Sequence, residues 1–230
     1  MINGENSMKD FFKKSKYLWI GGIMGFAQQL LGRLDYYLYH GRDIFSFSAI
    51  MGSLSLYAAI ILFVMKREAP PKQQFKDLFL YFLGLDFFYY IYIFILDIIT
   101  YFTNNSHSEK LSFYFQQSKG EAVDFIKWTV IGTAAGIWAY VAAKSRDKGR
   151  KKIYWIMTVP LFGVMTAELV TYSISMYKYI AEQYKISHGL MNAEDRRHGC
   201  AIADLLTALV SLIICIYFFF IKKKKAEKAE

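Results

Sequence analysis

The chain has 230 residues, 55% hydrophobic and 18% aromatic, with 28 Lys+Arg against 19 Asp+Glu for a formal charge of +9. A soluble helical domain of this size keeps a polar face on each helix. Three stretches do not: Ile44–Met65, Leu78–Phe102 and Ala201–Ile221 each reach or exceed the roughly 20 apolar residues that cross about 30 Å of hydrocarbon. Nor does the surplus charge point to nucleic acid, since it lies beside those runs, where anionic lipid headgroups are the expected partner.

Nineteen of the basic residues fall in four clusters: Lys9, Lys13, Lys14 and Lys16; Lys66, Arg67, Lys72 and Lys76; Lys144, Arg146, Lys148, Arg150, Lys151 and Lys152; and Lys222 to Lys225 with Lys228. Every second connection is therefore basic. Cytoplasmic loops retain Lys and Arg, so the alternation predicts an all-α, polytopic integral membrane protein: a six-transmembrane-helix bundle with both termini inside. The spans are about 17–39, 44–65, 78–102, 122–143, 153–179 and 200–221. Residues 1–16 and the basic tail 223–230 are then cytoplasmic ends around one transmembrane domain, 17–222.

The N-terminal segment ends in Met8-Lys-Asp-Phe-Phe-Lys-Lys, which reads either as a short interfacial helix on the inner leaflet or as a solvated tail. A positive start followed by an apolar stretch resembles a signal peptide. No small-x-small cleavage pattern follows, so span one is expected to be retained. It is the weakest span, apolar over Tyr17–Leu31 before Arg33 and Asp35 intervene. Span two carries Ser48, Gly52, Ser55 and Ala59 at helical spacing, a small-residue face. Pro70 and Pro71 end the helix on the inner side. In span four Gly132, Gly136 and Ala139 form the clearest close-packing stripe, predicting a helix contact within or between protomers. Pro160 should kink span five, with Thr158 or a neighbouring helix taking up the freed carbonyl. Trp19 and Trp155 near inner edges and Trp128 near an outer edge fit interfacial belts. No low-complexity linker or repeat divides the chain.

Charged groups inside spans cost about 2.5–3.5 kcal/mol each on the insertion scale, so they mark candidate functional residues. These are Asp86 and Asp97 in span three, Lys127 in span four, Glu168 in span five and Asp204 in span six. Asp86 and Asp97 return to one helix face with Tyr90 between them. Glu168 shares a face with Thr171, Tyr172, Ser175 and Tyr179, and Asp204 with Thr207, Ala208, Ser211 and Cys215. Three acidic stripes predict an outward-facing cavity, with Gln28 of span one lining it or hydrogen-bonding across helices. Such a cavity suits a cation, a proton or an amine-bearing solute. The alternative is intramembrane pairing, with Lys127 or Arg33 satisfying some of the acids; Asp124 and Lys127 have the spacing of a local pair.

No cofactor or metal is expected. The four histidines, His40, His107, His188 and His198, fall on outer segments without a metal-binding spacing. Cys200 and Cys215 are about 22 Å apart along one helix and cannot pair. No serine-hydrolase elbow, zinc-protease motif or phosphate-binding glycine loop is present. Abundant Lys, Ile, Tyr and Phe hint at an AT-rich bacterial genome and hence a bacterial cell membrane. The expected function is a transport or permeation component, with Glu168, Asp86, Asp97, Asp204, Tyr90, Tyr172 and Gln28 along the pathway. Other membrane subunits or a second copy are the expected protein partners. Two alternatives are a membrane interaction protein, such as an immunity, defence or scaffold component, and a membrane-embedded enzyme using Asp86 and Glu168 as acid and base.

Overall fold

The computed structural model describes residues 15–39, 47–103, 110–192 and 200–221. Among them every regular element is helical: α1 (Lys16–Tyr39), α2 (Phe47–Gly52), α3 (Leu54–Lys66), α4 (Pro71–Thr103), α5 (Lys110–Asp147), α6 (Lys151–Ser187) and α7 (Ile202–Ile216), closed by a π-helical turn, Tyr217–Ile221. Four are long and apolar enough to cross a membrane: α4 over Pro71–Leu96, α5 over Ala122–Asp147, α6, and α7 with its π turn. The π turn keeps the Tyr217-Phe-Phe-Phe-Ile221 run helical beyond α7.

Helices extend further than the hydropathy predicts. The expected outer loop 103–121 is helical from Lys110 onward. Likewise α6 continues eight residues past Tyr179, because Ala181-Glu-Gln-Tyr-Lys contains strong helix formers. It stops in a Schellman motif: Gly189 takes φ +68°, its N–H donates to the Ile186 carbonyl at 3.1 Å, and the Leu190 N–H donates to that of Lys185 at 2.8 Å.

Two compact units emerge, each from segments distant in sequence: Met1–Leu30 with Glu68–Lys148, and Leu31–Arg67 with Gly149–Glu230. In the first, α4 and α5 run antiparallel along small residues of α5. Gly132 lies against the Phe82 side chain, a Cβ on Gly136 would meet the Phe75 ring at 3.0 Å, and Ala139, Ala142 and Ala143 are fully buried. The contact between α1 and α4 is closer still. A Cβ on Gly21 or Gly25 would collide with the carbonyl of Tyr81 or Leu85, and one on Gly84 with that of Leu18. Glycines on both sides bring the two backbones into contact, the geometry that small-xxx-small patterns permit.

The second unit packs α3, α6 and α7 around Leu62, Met165 and Cys215, all fully buried, with Ala58, Ala59 and Phe219 beside them. Pro160 lies within an unbroken α6. The Thr158 hydroxyl donates to the Tyr154 carbonyl at 2.8 Å. That is not the carbonyl of Ile156, which the missing proline N–H frees, so Thr158 does not play the part its position suggested.

The predicted continuous span 44–65 is interrupted at Ser53, between α2 and α3. Ser53 is extended, at φ −64° and ψ 130°. A Gly-Ser pair is a recognised place for a helix to break. In hydrocarbon, however, the freed backbone groups must find partners inside the protein. Here the freed N–H donors find their acceptor in a residue more than a hundred positions away.

Candidate functional site

Glu168 of α6 reaches into the break. The backbone N–H groups of Leu54 and Ser55 donate to its Oε1 at 3.0 Å and its Oε2 at 2.6 Å. The Ser53 hydroxyl, in the N-cap position yet making no side-chain cap of its own, donates to Oε2 at 2.9 Å. The carboxylate of α6 thus caps α3, satisfying two of the donors that every helix start leaves open and placing negative charge where the helix dipole favours it. The Tyr172 hydroxyl, one turn on, donates to Oε1 over a long 3.5 Å.

Asp204 completes the cluster. It lies in the first turn of α7, where a carboxylate also favours the helix start. Its side chain interacts with both the Tyr172 hydroxyl and the Glu168 carboxylate. Two carboxylates of the second unit, from α6 and α7, therefore share one tyrosine beside a broken helix. All three side chains are half-buried, and neither acid has a Lys or Arg within ion-pair distance among the described residues. Backbone dipoles and hydroxyl donors offset their charge instead. The remaining carboxylate lone pairs suit a positively charged guest.

The other residues of the predicted polar stripes are placed within their own units. Ala208, Ser211 and Cys215, expected on the Asp204 face, are buried in the second unit. The hydroxyls of Thr171 and Thr207 turn back onto carbonyls of their own helices. Small residues let those faces pack rather than line an opening. Asp86 belongs to the first unit and is 1% exposed, with Oδ2 lacking a hydrogen-bond partner. The Tyr90 ring meets Phe125 of α5 edge-on, with centroids 5.9 Å apart. Gln28 is half-buried on α1. Asp97 lies on α4, but its side chain falls outside the described residues, as do His40, His107 and His198. Lys127 pairs with Asp124 at 2.7 Å rather than with a deeper acid. The His188 ring lies tilted against that of Tyr184, with centroids 4.1 Å apart.

Two features escape a hydropathy reading. The α1 glycines were legible as Gly21-x-x-x-Gly25, a small-xxx-small signature inside the weakest predicted span. The break at Ser53 was legible as Gly52-Ser53-Leu54-Ser55, a small-residue face that is equally an N-cap sequence. Set against known proteins, the chain matches no family model, no curated protein and no solved structure.

Proposed function

We propose that this protein is a six-span membrane transport or permeation component, with both termini on the cytoplasmic side of a bacterial cell membrane. Its pathway uses Glu168, Tyr172 and Asp204 for a cation, a proton or an amine-bearing solute. The observation that carries the reading is the carboxylate pair at a helix break, where interrupted helices elsewhere in membranes expose backbone groups to ions and substrates. Glu168 is the positioning member, committed to the start of α3. Asp204 is the member free to exchange its partner, since no backbone of another helix depends on it among the described residues.

The six spans add α1 and the α2–α3 pair to the four long helices, and the four basic clusters orient them. Single cysteines at Asn105 and Asn192 should label from outside, and those at Gln73 and Lys148 should be protected. Labelling of Lys148 from outside would invert the topology and, with it, the site. For function, the protein in liposomes should move protons, read by an internal pH dye, or labelled sodium, rubidium or methylammonium. Asp204→Asn should lower that flux at least roughly tenfold, the loss equivalent to about 1.4 kcal/mol of interaction. If Asp204→Asn and Glu168→Gln both keep full flux, the acids are helix caps and the transport reading fails. A membrane enzyme would instead retain binding and lose turnover.

A further inference from the structure

The register of the α4–α5 contact brings Asp86 and Thr129 to the same level. One turn before Asp86, Phe82 packs on Gly132; one turn after it, the Tyr90 ring meets Phe125. Position 129 lies between those two partners on the same face of α5. Asp86 Oδ2 and Thr129 Oγ1 are both shut off from solvent, and neither has a hydrogen-bond partner among the described residues. The threonine is unusual in this. The hydroxyls of Thr133, Thr158, Thr166, Thr171 and Thr207 each donate to the carbonyl four residues back at 2.7–2.9 Å, whereas that of Thr129 does not.

We propose that Asp86 and Thr129 form an occluded site for one monovalent positive charge, delivered as a hydron or as an alkali cation. An ionised carboxylate buried without donors or counter-charge is among the most unfavourable groups a protein can hold. Among the described residues nothing nearby neutralises it. On α5, Lys127 is exposed and tied to Asp124. The α1 residues packed on this part of α4 are Leu18, Trp19 and glycines, none of them charged. On α4 itself, the ionisable neighbours within two turns are Tyr81, Tyr89, Tyr90 and Tyr92, none of which is cationic. A hydron neutralises the carboxyl directly. An alkali cation would take oxygen from both Asp86 and Thr129. A divalent ion fits poorly, because one carboxylate leaves half its charge uncompensated and divalent sites usually supply several carboxylates. The inference goes beyond the transport reading and requires only that α4 lie in hydrocarbon.

The test compares melting of the full-length protein and of Asp86→Asn in detergent, across pH and with sodium, potassium or choline at constant ionic strength. A ligand that binds the folded state raises its stability with concentration. If an alkali cation is the guest, the parent melts higher in sodium or potassium than in choline and Asp86→Asn does not. If a hydron is the guest, the parent loses stability relative to Asp86→Asn as pH rises, whichever salt is present. Glu168 and Asp204 are common to both proteins and cancel in the comparison. Thr129→Val keeps shape and carboxylate, and covers the case in which Asp86→Asn does not fold. In the alkali case its half-maximal concentration should rise at least tenfold; in the hydron case the midpoint of its pH response should move away from that of the parent. Identical responses in the parent and in every variant that folds would overturn the site.

Discussion

Glu168 and Asp86 are the same functional group in helices of similar apolar character, and the protein accommodates them in opposite ways. Glu168 is half-buried yet richly supplied, with two backbone N–H groups and a serine hydroxyl within 3.0 Å. Asp86 is fully enclosed, and its Oδ2 has no partner. The difference lies in the neighbouring backbone. A broken helix supplies donors that a continuous one keeps for itself, so α3 can satisfy a carboxylate whereas the uninterrupted α4–α5 contact offers none of its backbone donors. Deleting each carboxylate should therefore have opposite effects on stability.

The largest effect is expected at the break. Glu168→Leu leaves the N–H groups of Leu54 and Ser55 and the Ser53 hydroxyl without their acceptor; at about 1–3 kcal/mol for each of the two part-buried donors and less for the exposed Leu54 N–H, it should destabilise by roughly 2–5 kcal/mol in total. Glu168→Gln keeps one acceptor oxygen and should lose about half as much. Chemical or thermal unfolding in a mild detergent reads both. An unchanged melting temperature for Glu168→Leu would mean that the break is held by something else, and the contrast with Asp86 would collapse.

How legible this contrast was in the sequence depends on the kind of signal each part leaves. Apolar run length is local and additive, so the four long helices could be read directly. The acids themselves stood out because Asp and Glu are costly in such runs. Their partners did not. Glu168 is 115 residues from Ser53, and no spacing rule links a carboxylate to a helix start on another element. The division into two units was equally hidden, because each is assembled from non-adjacent segments. The weakness of span one was a matter of hydropathy. Its packing strength comes from glycines, which contribute little to any hydropathy sum.

A smaller effect, on the order of 1–3 kcal/mol, is expected where the first unit is tightest, and it tests why the Asp86 region is closed. Gly25→Leu places a branched side chain against the Leu85 backbone, which has no rotamer with which to yield. Gly136→Leu meets the Phe75 ring, which can rotate aside, and should cost less. Both should lower the melting temperature, in that order. If Gly136→Leu is silent while Gly25→Leu is not, backbone contact between α1 and α4, rather than the α5 stripe, keeps this unit compact. The reverse order would place the closure at the α4–α5 face where Asp86 lies.

The smallest effect has the opposite sign. Asp86→Leu replaces an unpartnered buried carboxyl with an apolar group of similar size, a change that is often neutral or stabilising even where a buried ion pair is removed. In choline buffer at the alkaline end of the stable range, the proposed site is least occupied. The variant should there melt at or above the parent, by the equivalent of about 1 kcal/mol. Adding sodium or potassium, or lowering the pH, should narrow or reverse that gap, because only the parent can gain from an occupied site. Glu168→Leu should show no such recovery, since its lost partners are backbone donors that a cation cannot replace. A loss of more than about 2 kcal/mol in Asp86→Leu under the unoccupied condition would show that the carboxyl has a protein partner after all. Glu168 and Asp86 would then be two versions of one structural device.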